Sequence, residues 1–170
     1  MRFSIKCVKG FSLIELVVVV AILTILLAIG VPLLTKYIKK YNIEKEIVEL
    51  YSQLNSIKFK SMNTGTPHGI RFDSPKQYTI FVFKDSNYNL KFDSVTEEGD
   101  PHTFTLKYNL DAPKQGATIL FDKNGISRNV NWGLGNLTIY INYPARHNCI
   151  TVSGESIKMG EWNGSKCIAK

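Results

Sequence analysis

The sequence predicts an α+β fold: a long N-terminal helix, transmembrane in its first half, packed on a C-terminal domain built from an antiparallel β-sheet. Three observations predict it. From Leu16 to Leu34 the chain runs 19 residues with only Thr24, Gly30 and Pro32 interrupting the apolar character, close to the ~20 residues that cross a bilayer core as a helix. Beyond Leu34 apolar residues recur at spacings of three and four to about Lys60, the period of an amphipathic helix. After Asn63-Thr64-Gly65-Thr66-Pro67, a helix-breaking stretch, the period changes to two, which is the signature of strands behind a helix.

The N-terminus comes first in the argument. Arg2, Lys6 and Lys9 make a short basic segment that ends at Gly10. An ordinary secretory signal has an apolar core of roughly 7–15 residues followed by a small-x-small cleavage site; here the run is longer and no such site follows Leu34. A plain single-pass anchor has no use for Glu15, because a carboxylate facing lipid costs about 2.5–3.5 kcal/mol at the bilayer centre and less near an edge. A cut after Gly10 gives Glu15 a partner. The new amino group on Phe11 would then lie one helical turn away, or against the Glu15 of a neighbouring subunit, and a buried carboxylate needs such a partner. First-turn placement also suits the positive end of the helix dipole.

Gly10-Phe11-Ser12-Leu13-Ile14-Glu15 resembles the cleavage motif of type IV prepilins and type II secretion pseudopilins. The resemblance implies cleavage between Gly10 and Phe11 and N-methylation of Phe11 by a prepilin peptidase. It implies that Glu15 guides assembly, and that Pro32 is the helix-loosening proline of these subunits. Other pilin or pseudopilin subunits, the peptidase and the bacterial inner membrane are the implied partners. Charge alone leaves topology balanced, since Lys36, Lys39, Lys40 and Lys45 follow the span. The motif and the distal cysteine pair place the C-terminal domain outside the cytoplasm.

The helix is expected from Phe11 to about Lys60. Leu34, Tyr37, Ile38, Tyr41, Val48 and Tyr51 form one stripe; Ile43, Ile47, Leu50, Leu54 and Ile57 form an adjacent line. The Tyr/Ile/Leu stripe reads as core against a sheet in the second half, whereas the first half is left to pack with other subunits. Pro32, lacking an N–H, and Gly30 are where the helix loosens. These features divide the chain into a leader (1–10), a membrane and assembly half-helix (11–34), an amphipathic half (35–62) and a β-rich domain (63–170).

Strands are expected at Ile70–Phe72, Tyr78–Phe83, Phe104–Leu110, Ala117–Phe121, Leu137–Asn142 and Cys149–Ser153, with turns at Asp122-Lys123-Asn124-Gly125 and Ser153-Gly154-Glu155. The segments Ile119 to Ser127 and Ile150 to Gly154 resemble the strand, glycine turn and last hairpin of the GspH/FimT branch of minor pilins and pseudopilins. That resemblance implies a minor subunit acting in assembly, priming or the tip of a type IV pilus or secretion pseudopilus.

Of the three cysteines, Cys7 lies in the basic leader, where Lys6 argues against a lipoprotein site. Cys149 and Cys167 in an exported domain read as one disulfide, worth about 3 kcal/mol for a loop of this size. His147 with these two cysteines is too short a ligand set for zinc. Asp85-Ser86-Asn87-Tyr88-Asn89 begins like a calcium loop, but Leu90 stands where glycine is required and Thr96 where glutamate is; it reads as a polar hairpin. Asp93, Glu97, Glu98 and Asp100 read as a solvated acidic loop, with calcium binding, as in some major pseudopilins, the alternative. No metal or cofactor is expected. No nucleophile–base pair or phosphate-cradling loop stands out, so the chain is not expected to be an enzyme.

The net charge is +7, from 21 Lys and Arg against 14 Asp and Glu; without the leader it is +4. This mild excess permits an anionic partner without demanding one. Arg128, Arg146, Lys158, Lys166 and Lys170, with Trp132 and Trp162, are the candidate DNA-binding set. Resemblance to those FimT-like members that receive DNA in natural transformation supplies this alternative. Such members carry Gly-Arg-x-Arg in the final hairpin, whereas Gly154 here is followed by Glu155-Ser156-Ile157-Lys158.

Overall fold

The computed structural model describes residues 10–170; the leader residues Met1 to Lys9, including Cys7, lie outside them. One helix, α1 (Leu13–Thr64), is followed by nine strands: β1 (His68–Ser74), β2 (Gln77–Phe83), β3 (Glu98–Thr105), β4 (Thr118–Phe121), β5 (Ser127–Arg128), β6 (Asn136–Tyr140), β7 (Cys149–Ser153), β8 (Ser156–Trp162) and β9 (Cys167–Ala169). A short 3-10 turn, Val95–Glu97, precedes β3. The chain divides into two compact units after Lys39.

The first unit is helical from Leu13 onward, and Pro32 is accommodated without a break. In the second unit the rest of α1 meets two antiparallel sheets, one ordered β3-β2-β1-β4-β5 and the other β6-β7-β8-β9. Its buried line is Ile43, Ile47, Leu50, Leu54, Ile57 and Ser61, spaced four, three, four, three and four, so a single narrow stripe faces the sheets. Ile70, Phe72, Ile119 and Phe121 from one sheet and Ile139, Ile150 and Val152 from the other close the core around it. Of the stripe expected as core, the Ile43, Ile47, Leu50, Leu54 and Ile57 line is core, whereas Tyr37, Tyr41 and Val48 are exposed and only Tyr51 of the tyrosine line packs, half-buried, against the cluster. The more apolar Ile/Leu line faces in, and polar clips flank it. Glu46 accepts the backbone N–H groups of Lys107 and Tyr108, Glu44 accepts that of Arg146 at 2.8 Å, and Lys58 Nζ donates to the Glu155 carbonyl at 2.5 Å. These groups flank the Ile43 line and clip it onto sheet loops.

The helix ends where the chemistry says it should. Gly65 takes φ +67°, the left-handed conformation that closes helix C-termini with least strain, and Pro67 follows two residues on.

The strand expectations need four corrections. There are two sheets rather than one. The strand expected at Phe104–Leu110 is β3, Glu98–Thr105. Leu106 and Leu110 are buried as their alternation suggests, but their N–H groups bond the Lys76 and Pro75 carbonyls at the β1–β2 turn instead of extending the ladder. Asp85–Asn89 is not a hairpin but part of the loop after β2, where the Asp85 carboxylate accepts the N–H groups of Asn89 and Leu90. The acidic stretch is not a solvated loop throughout: Glu97 is buried and accepts the Asp93 N–H. Glu98 opens β3 and pairs with Arg71 Nη1 at 2.5 Å. Burial raises the Glu98 pKa and outweighs the opposing pull of Arg71. The two expected turns are in place, joining β4 to β5 and β7 to β8.

Tyr78, 3% exposed in β2, has its hydroxyl pushed up to about 12, by burial first and then by the charges of Glu49 and Glu46. A folded state that holds the proton more tightly keeps this contribution whole below pH 10 and loses it as pH rises through 12. The unfolding free energy is expected to fall by about 1–2 kcal/mol more in the wild type than in Tyr78→Phe across that interval, after allowance for partial solvent access. Urea titrations at each pH check this; parallel wild-type and variant curves would refute it.

Candidate functional site: the N-terminal helix and the distal sheet

Gly10, Phe11 and Ser12 precede the helix, and the Ser12 carbonyl accepts the Leu16 N–H at 3.2 Å, closing the first turn. Glu15 lies in that turn. The large apolar side chains of this segment are exposed, from Phe11 at 75% and Leu13 at 81% through Leu34 at 57%. At 1.5 Å per residue Leu13 to Leu34 is about 33 Å long, against a hydrocarbon core of about 30 Å. An all-round apolar surface of this extent needs lipid or protein cover. Pro32 offers no N–H to the turn before it, and the Thr35 hydroxyl bonds the Pro32 carbonyl at 3.0 Å. The weak point is thus a single missing rung, which a covering neighbour in the membrane can tolerate.

Residues 5–31 match the family described as the prokaryotic N-terminal methylation motif. The match supports a type IV pilin-like protein. Neither the curated proteins nor the solved structures compared with the chain gave a match. For a pilin-like chain the matched motif implies processing by prepilin peptidase and assembly with other pilins, and the apolar helix points to membrane anchoring. The matched span includes Gly10, Phe11 and Glu15 and ends one residue before Pro32.

At the other end of the chain Cys149 and Cys167 form the expected disulfide, with Cα atoms 5.8 Å apart. Their strands are separated by β8, where Cys149 faces Gly160 and Cys167 faces Trp162. Two flat strand spacings would put them about 9.5 Å apart or more, so β9 is folded back over β8. Gly160 makes the fold-back feasible: a Cβ there would lie 1.9 Å from the Ile168 carbonyl oxygen. Sequence reasoning missed β9, and the only signal for it was the cysteine pair itself.

The candidate DNA-binding residues lie in different local settings. Arg128 is held by the Asp122 carboxylate, 2.9 Å from both Nε and Nη2. Lys170 pairs with Glu161, and its hydrogen bond lowers the Glu161 pKa. Arg146, Lys158 and Lys166 are exposed, on the loop before β7, on β8 and in the β8–β9 turn. Trp132 packs on Phe83 beside the five-stranded sheet, ring centroids 5.6 Å apart, whereas Trp162 stacks on Tyr140 of the four-stranded sheet at 3.8 Å. Among the described residues no group of three or more His, Cys, Asp or Glu side chains is placed to hold a metal.

Proposed function

We propose that the chain is a structural subunit, a minor pilin or pseudopilin of the GspH/FimT type, acting in assembly, priming or the tip of a type IV pilus or type II secretion pseudopilus. It is cut after Gly10, methylated on Phe11 and held in the inner membrane as a single-pass protein, with residues beyond Lys40 outside the cytoplasm until extraction. The observation that carries this reading is the methylation motif at 5–31 running into a helix that places Glu15 in its first turn. The bared apolar surface that follows suits lipid before assembly and neighbouring helices after it. The disulfide-pinned distal sheet suits an oxidising compartment.

Mass spectrometry of the protein purified from membranes that contain a prepilin peptidase tests the reading. The expected N-terminus is N-methylated Phe11. A chain that still begins at Met1 beside an active peptidase would make it a plain bitopic protein and end the pilin assignment.

A further inference from the structure

A cleft of about 360 Å³ opens where α1 ends, at the small end of the roughly 300–1,000 Å³ range of ligand sites. Pro67, Leu90 and Trp132 supply its apolar walls, and Asp122, Lys123 and Arg128 its charged ones. It sits beside a second apolar cluster on the five-stranded sheet, Phe81, Phe83 and Leu120, with Phe92 and Trp132 packed against it. Gly69 leaves the room that Phe81 and Leu120 fill, since a Cβ there would come within 2.6 Å of the Phe81 ring. The Phe92 N–H bonds the Val130 carbonyl at 2.8 Å, tying the loop that carries Leu90 to the loop that carries Trp132.

Two features shape the cleft walls. Leu90 and Trp132 stand at φ +58° and +61°, a region costly for large side chains. Leu90 is nevertheless 54% exposed, so its strained backbone serves no core contact. Asp122, 5% exposed, is fully engaged: one carboxylate oxygen accepts the N–H groups of Asn124 and Ile126, and the other takes Arg128 Nε and Nη2. The guanidinium is thereby fixed in place with its Nη1 donors uncommitted among the described residues. Exposed Lys123 adds a second cation, so the walls carry a net single positive charge.

The cleft offers no row of backbone groups to an extended peptide. The Pro67 carbonyl is taken by the Phe83 N–H, the Leu90 N–H by Asp85 and the Trp132 N–H by the Asn129 carbonyl. It offers no track of cations to a nucleic-acid strand either. A flat indole, an aliphatic wall, fixed guanidinium donors and an ammonium suit a ring with one C–H face, a hydroxylated rim and a carboxylate. We propose that this cleft binds an acidic saccharide, a hexuronate ring lying on Trp132 with its carboxylate toward Lys123 and Arg128.

Titrating tri-galacturonate into the full-length chain in detergent micelles tests this, read by indole fluorescence in a Trp162→Phe background that leaves Trp132 as the one reporter. Saturable quenching is expected. Lys123→Gln should weaken it about tenfold, as loss of a charge-assisted hydrogen bond does, and Leu90→Ser should weaken it several-fold. Both residues are surface positions whose replacement spares the fold. Neutral cellotriose should bind at least about tenfold more weakly. No quenching by tri-galacturonate, equal binding of cellotriose, or tighter binding of an oligothymidylate that Lys123→Gln abolishes would each overturn the proposal. None of these results bears on the N-terminus found by mass spectrometry, so the pilin reading stands or falls separately.

Discussion

Gly160→Ala is expected to destabilise the distal domain by at least about 3 kcal/mol, beyond the usual overpacking range. The added methyl meets backbone, the Ile168 carbonyl oxygen at 1.9 Å and the Ala169 Cα at 2.9 Å, and backbone cannot rotate aside as a side chain can. Relief requires β9 to lift from β8, which breaks the Gly160–Ala169 and Glu161–Ile168 pairs. The disulfide forbids that movement, because Cys167 is tied to Cys149 in β7. Gly154→Ala is the matched control. Gly154 has φ +55° and open space around it, so the change costs only the left-handed strain, about 1–2 kcal/mol. In a Cys149→Ser/Cys167→Ser background β9 is free to lift, and the Gly160→Ala penalty should shrink by more than about 1 kcal/mol, a coupling that a double-mutant cycle measures. Equal losses for Gly154→Ala and Gly160→Ala in urea unfolding would show that β9 does not lie over β8.

What was legible in the sequence follows from how far apart the cooperating residues lie. Gly10 to Glu15 is contiguous and its chemistry local, so the methylation motif matched at residues 5–31 could be read from the chain alone. The helix was legible for the same reason, since spacings of three and four need no partner to be recognised. Which of its two apolar lines faces the core was not. Tyr37 and Tyr41 carry hydroxyls that tolerate solvent where Ile43, Ile47 and Leu50 do not, and Glu44, Glu46 and Lys58 fasten the Ile/Leu line to loops 61 to 102 residues away. Leu106 and Leu110 mimic a strand because burial alternates there while the hydrogen bonds go elsewhere. β5 and β9, of two and three residues, are too short for periodicity to register. The cleft gathers Pro67, Leu90, Lys123 and Trp132 from four separate segments, so no local pattern marks it. Arg128 and Trp132 belong both to the cleft and to the candidate DNA-binding set, and the setting of Arg128 is created by Asp122, six residues earlier.

Glu15→Leu is expected to leave the protein in the membrane and remove it from filaments. The side chain is exposed in the first turn of α1, between Ile14 and Leu16. Leucine there lowers the cost of insertion, by up to about 2.5–3.5 kcal/mol if the position reaches the bilayer centre and less near its edge. The loss of favourable interaction with the helix dipole, about 0.3–1 kcal/mol, does not offset that gain. Anchoring should therefore be unchanged or stronger. Assembly should suffer in the opposite sense. On the proposed function, a matured Phe11 would carry an amino group buried among neighbouring helices, and withdrawing one member of such a buried pair costs about 3–5 kcal/mol. Since each 1.4 kcal/mol is a factor of ten, incorporation should fall by about a hundredfold or more. Fractionation of cells expressing wild type, Glu15→Asp and Glu15→Leu separates the two effects. Membrane levels should match across the three, with the filament fraction reduced in Glu15→Asp and absent in Glu15→Leu. Normal incorporation of Glu15→Leu would remove the carboxylate from assembly, and loss from the membrane fraction would assign it to anchoring instead.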